Sequence, residues 1–104
     1  MLDISSAKVV RVIFLAEEHG ADSHQVRDYI SGLNEDEQAN LVALMWVGRE
    51  SFDADEFEEA KQTAFNERTA PTEDYLAGIP ELPGYLESGL ESLGIDVTEV
   101  EDRM

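Results

Sequence analysis

The sequence predicts an all-α fold: a compact bundle of five or six short helices around a central apolar helix at about residues 35–47. Three observations carry that reading. Apolar residues recur every three or four positions through most of the 104-residue chain, which places them on one helix face. Side chains that cap helix N-termini precede these segments, and glycine or proline follows them. One segment, Ala39 to Val47, is apolar nearly all the way round, the mark of a helix enclosed on every side.

The first helix is expected over Ser6 to His19, capped by Ser5 and closed by Gly20 in a left-handed conformation. Its stripe is Val9, Val10, Ile13, Phe14 and Ala16. The β-branched run from Val9 to Phe14 also fits a strand, but the caps and the roughly 14-residue length favour helix. The second helix runs from Ser23 to Gly32, with Asp22 or Ser23 as cap. Val26, Tyr29, Ile30 and Leu33 share its inner face.

The third helix carries the clearest signal. Asn34 can accept from orphan backbone amides, and Glu37 stands three residues on, where a capping-box partner reaches back. Glu35, Asp36 and Glu37 fill the positive end of the helix dipole. Gly48 is the expected stop. Asp53 opens a fourth helix, with Phe57, Ala60, Lys61, Ala64 and Phe65 turned inward, ending before Pro71. Thr72 caps a short fifth helix that stops at Gly78. A proline-bearing turn from Ile79 to Gly84 leads to the last helix, Tyr85 to Leu93, with Leu86, Leu90 and Leu93 on one stripe and Gly94 as its end. The single domain is placed at residues 1–97, and 98–104 as a frayed acidic tail.

Three strings give a family resemblance. They are Leu33-Asn34-Glu35-Asp36-Glu37-Gln38, Leu41-Val42-Ala43-Leu44-Met45-Trp46-Val47-Gly48-Arg49, and the run from Tyr75-Leu76-Ala77-Gly78-Ile79-Pro80 through Tyr85 to Leu90. Over about residues 29–93 the chain resembles the bacterial family known as domain of unknown function 3775. The resemblance implies a small helical bacterial protein. It implies no activity, substrate or cofactor.

Charge excludes more than it assigns. With 24 acidic and seven basic side chains the formal net charge is −17. Nucleic-acid binding, which needs a basic patch to displace counterions, is not expected, and an anionic membrane surface would repel the chain. No apolar run approaches the ~20 residues that span a bilayer. The acidic start, Met1-Leu2-Asp3, lacks the basic region of a secretory signal. With no cysteine, disulfides and zinc–thiolate sites are absent. The expected compartment is the cytoplasm.

Candidate functional residues are few. Trp46 and Arg49 stand together at a helix end. There a guanidinium fork can hold a carboxylate or phosphate, or can simply complement the helix dipole. Tyr75, Pro80 and Tyr85 bracket a turn whose aromatic and apolar groups suit a partner groove, or a structural hinge. His19 and His24 sit among carboxylates, a donor set a divalent metal can use, but five residues apart across a glycine they do not share a helix face. Asp53 to Glu59 lacks the glycine of a calcium loop, and Ser92 lacks the setting of a nucleophile elbow. No cofactor or metal is assigned. The sequence therefore favours an acidic protein-interaction module without enzymatic activity, binding an unidentified partner or itself. The alternatives are a regulator or nucleic-acid mimic that captures a basic partner through its negative surface, and a small ligand- or metal-binding protein.

Overall fold

The computed structural model describes residues 2–95; the tail expected at 98–104 lies outside them. Among the described residues there are six α-helices and no strand. They are α1 (Ser6–His19), α2 (His24–Ser31), α3 (Glu35–Gly48), α4 (Phe57–Asn66), α5 (Thr72–Ala77) and α6 (Leu82–Ser92), with a 3-10 turn over Ala54–Glu56 ahead of α4. The all-α expectation holds. The segment from Val9 to Phe14 is helical because Val9, Val10, Val12 and Ile13 are buried on one side of α1. That packing outweighs their β propensity.

Helix α3 is the centre. Every residue from Ala39 to Met45 is buried, and α3 packs chiefly on α6 and α4. Helix α1 lies against α6 and α2, and α2 against α5. The expected capping box is complete. Asn34 Oδ1 accepts from the Glu37 amide at 2.8 Å, and Glu37 Oε1 accepts from the Asn34 amide at 3.1 Å.

Polar groups within this core are paired. Asn40 is fully buried; its Oδ1 accepts from the Asp3 amide at 2.8 Å and its Nδ2 donates to the Asp36 carbonyl at 2.7 Å. The N-terminal segment is thereby tied to α3. Lys61 Nζ donates to Asp3 Oδ2 at 2.6 Å from α4, so one short segment clamps two helices.

The boundaries differ from the sequence reading in four places. Gly48 does not stop α3. It is the last helical residue, Arg49 follows as the C-cap, and Glu50 takes the positive φ of +69°. The Glu50 amide donates to the Val47 carbonyl at 3.0 Å and the Ser51 amide to the Trp46 carbonyl at 2.9 Å, the pair of bonds that closes a Schellman motif. Asp53 opens the 3-10 turn, and α4 itself begins at Phe57. Thr72 is the first residue of α5, and the cap position is Pro71, whose carbonyl accepts from the Tyr75 amide at 3.1 Å. Helix α6 starts at Leu82 and takes Pro83 and Gly84 into its first turn, since proline there lacks only an amide that would have no helical partner.

Phe65 is a correction of a different kind. It was expected to face inward but is 40% exposed. It sits next to Ala64, about 80° around the helix from Phe57, and the buried stripe of α4 is Phe57, Ala60 and Ala64.

Glu50 gives a direct prediction. A non-glycine residue in the left-handed region is strained, and a carboxylate past a helix C-terminus opposes the dipole. Glu50→Gly is expected to stabilise the domain by ~0.5–1 kcal/mol, seen as a higher urea midpoint with an unchanged slope. A loss of stability would contradict this account of the α3 terminus.

Candidate functional site

The sequence-nominated residues do not form one cluster. The fold unites two of them. Trp46, on the last turn of α3, donates its indole N–H to the Tyr75 hydroxyl of α5 at 3.0 Å. The other side of the indole stacks on Phe52, with ring centroids 5.7 Å apart and an interplanar angle of 23°. Trp46 is thus fixed by an apolar neighbour and a polar one, with its ring half-buried. Tyr75 is 40% exposed.

These two aromatic residues form one wall of a groove between α3, α4 and α5, with a volume of about 190 Å³. Val42 and the buried Ala64 lie along it. Thr63 and Glu67 border it from α4 and the turn after it. The loop Arg68-Thr69-Ala70 and the start of α5 at Thr72 complete the lining. The lining combines apolar and aromatic side chains with threonine hydroxyls, one acidic residue and one arginine.

Arg49, Pro80 and Tyr85 lie elsewhere. Arg49 is exposed and donates from Nε to Ser51 Oγ at 3.2 Å. It is not among the residues that line the groove between α3, α4 and α5. Pro80 is exposed in the turn between α5 and α6. Tyr85 is half-buried on α6, and its backbone, not its ring, makes the close approach to α3 at Gly48. Gly48 in the Trp-x-Gly-Arg string therefore serves helix packing.

Glu67 and Arg68 are groove residues that sequence reasoning missed; Arg68 is the one with side-chain contacts of its own. Its guanidinium lies 5.4 Å from the centroid of the Phe65 ring, and Nη2 is 3.5 Å from Glu35 Oε1. The one sign of it in the sequence is the Phe65–Arg68 spacing of three, which stacks the two side chains at a helix end. Nothing in that spacing shows that Glu35, 33 positions earlier, sits beside them.

His19 ends α1 and His24 begins α2, and both are exposed. Among the described residues no group of three or more histidine, aspartate or glutamate side chains converges to hold a metal ion. No helix among them is long and apolar enough to cross a membrane.

The electrostatics are otherwise local. Glu37 is held below its ordinary value of 4.5, first by the Lys8 ammonium that donates to it at 2.6 Å and then by the Asn34 amide. A depressed carboxyl stabilises the fold above its unfolded value and loses that contribution as the pH falls through the folded one. Glu37→Gln is therefore expected to lower the urea midpoint at pH 7, and the gap from the parent protein should close as the pH falls below 4.5. A gap that is constant with pH would assign the loss to packing and not to charge. Arg27 of α2 pairs with Asp74 of α5, a partly exposed ion pair of small worth next to the Tyr75 wall.

Comparison with known proteins adds the chain's lineage and nothing about its chemistry. No curated protein and no solved structure matches it. The family model described as "Protein of unknown function (DUF3775)" matches residues 23–95, the span from the cap of α2 to three residues past α6, and the chain belongs to that family.

Proposed function

We propose that this protein is a small, non-enzymatic, cytoplasmic interaction module, and that the groove between α3, α4 and α5 is where a partner protein docks. The observation that carries the reading is the Trp46–Tyr75 wall. An indole and a phenol, joined at 3.0 Å, face an open groove in place of being sealed into the core. Aromatic residues are enriched at protein interfaces, where a ring offers contact area and a polar tip takes a hydrogen bond. The size of the groove also favours this reading. Sites that enclose a drug-sized ligand measure ~300–1,000 Å³, whereas about 190 Å³ suits one side chain presented by a larger partner.

A random-peptide display selection on the full chain tests this. Enriched peptides are expected to lose binding to Ala70→Trp, which fills the groove from its exposed loop, while that variant keeps the parent melting temperature. Enriched peptides that bind Ala70→Trp as well as the parent would place the interaction elsewhere and overturn the proposal, as would a selection that enriches nothing.

A further inference from the structure

Charge around the groove specifies its occupant. Glu67 lies on the groove and also on the shallow cleft beside it, together with Thr63 and Glu59. Arg68 and Thr72 are shared with another cleft, which Glu73 also lines. Arg68 is the single cation of the lining. Its guanidinium already meets the Phe65 ring and the Glu35 carboxylate, so its charge is partly met by the chain's own groups. The whole chain adds a net −17, which draws positive groups towards the surface at long range. The groove itself is lined by Trp46, Tyr75 and the acidic Glu67.

An aromatic wall with a carboxylate at its rim is the chemistry that recognises a long cationic side chain. The aliphatic stem lies along the rings, the cation meets the π face, and the head group pairs with the carboxylate. An acidic segment would meet Glu67, Glu59 and Glu73 as like charges. A purely apolar anchor would leave the rim carboxylate without a partner.

Building on the docking role proposed above, we infer that the groove receives an arginine or lysine side chain from an exposed basic segment of the partner. Such a complex gains its encounter rate from the field of the whole chain and its specificity from one side chain's length and charge.

The probes are five-residue peptides, capped at both ends, of the pattern Ser-Gly-X-Gly-Ser with X as arginine, lysine, citrulline, leucine or glutamate. Each is titrated into the full chain and followed by NMR through the Trp46 indole N–H and the amides of Thr63 and Glu67. The arginine and lysine peptides are expected to shift these signals together, and to bind more weakly as salt rises. Glu67→Gln, a change at an exposed position, is expected to weaken them by about two- to fivefold and to leave the leucine peptide unaffected. Citrulline, which keeps the shape of arginine without its charge, should bind worse than arginine. Two results overturn the inference while sparing the docking site. One is leucine or citrulline binding in the groove as tightly as arginine. The other is arginine binding that Glu67→Gln leaves unchanged. If no peptide shifts the groove signals and the display selection also enriches nothing, the docking site falls with it.

Discussion

Replacing Gly48 or Gly89 with alanine is expected to cost at least ~3 kcal/mol, a large share of the ~5–15 kcal/mol that holds such a domain together. Helix propensity alone predicts the opposite sign, since alanine in a helix interior is favoured over glycine by ~1 kcal/mol. Tertiary contact decides. A Cβ on Gly48 would lie 1.7 Å from the Tyr85 carbonyl oxygen and 2.6 Å from its carbon. A Cβ on Gly89 would lie 2.4 Å from the Leu44 carbonyl oxygen. In each case the obstacle is backbone, which cannot rotate aside as a side chain can. The two contacts sit on the same pair of helices, with Leu44 and Gly48 one turn apart on α3 and Tyr85 and Gly89 one turn apart on α6. Either methyl group would force α6 off α3 and expose Leu86 and Leu90, both fully buried. Thermal unfolding of the two variants checks this. The matched control is Gly84→Ala, in the first turn of α6, where a Cβ would meet nothing within 4 Å; it should be neutral or mildly stabilising. If all three variants behaved alike, the close crossing of α3 and α6 would not be the reason for these glycines.

Leu44→Ala is expected to destabilise by ~2–5 kcal/mol and to lower the melting temperature by about 10 °C or more. Leu44 is fully buried, and its Cγ and Cδ1 press against Gly89, each 3.0 Å from where a Cβ there would stand. Removing it opens a cavity at the point where the two backbones are already as close as they can be. Further collapse cannot fill that space, so the cost should fall towards the upper end of the range. The comparison is Phe14→Ala. Phe14 is a larger apolar side chain on the stripe expected for α1, but it is 53% exposed, so its loss should stay within about ±0.5 kcal/mol. Equal losses at the two sites would contradict the placement of the core around α3.

Much of the fold was legible because its signals are local. The Asn34–Glu37 box needs four consecutive residues, and the nearly all-round apolarity of Ala39 to Val47 needs nine. Neither depends on what packs nearby. The same locality explains the misread boundaries. Gly48 looked like a stop because glycine often follows a helix, but its smallness is used for a neighbour 37 positions later in the chain. Thr72 looked like a cap because its hydroxyl suits one, yet it begins α5 as a buried residue on the groove.

The candidate site divides along the same line. Trp46, Arg49, Tyr75, Pro80 and Tyr85 were all nominated on residue type and position. Only the docking of α5 beside α3 selected the Trp46–Tyr75 pair and left Arg49 to Ser51. Arg68 entered through its contact with Glu35, which no spacing rule connects.

By itself, then, the sequence determined the helical class, the central helix, most of the caps, the family, and a net charge of −17. These follow from hydrogen bonding within one turn, from the periodicity of a single helix, and from summed charge. The tertiary structure alone decided which glycines are packing sites, where α6 begins, and which aromatic residues share a groove with Glu67 and Arg68. Those outcomes depend on distances between helices, and such distances are set by the volumes of residues far apart in the chain.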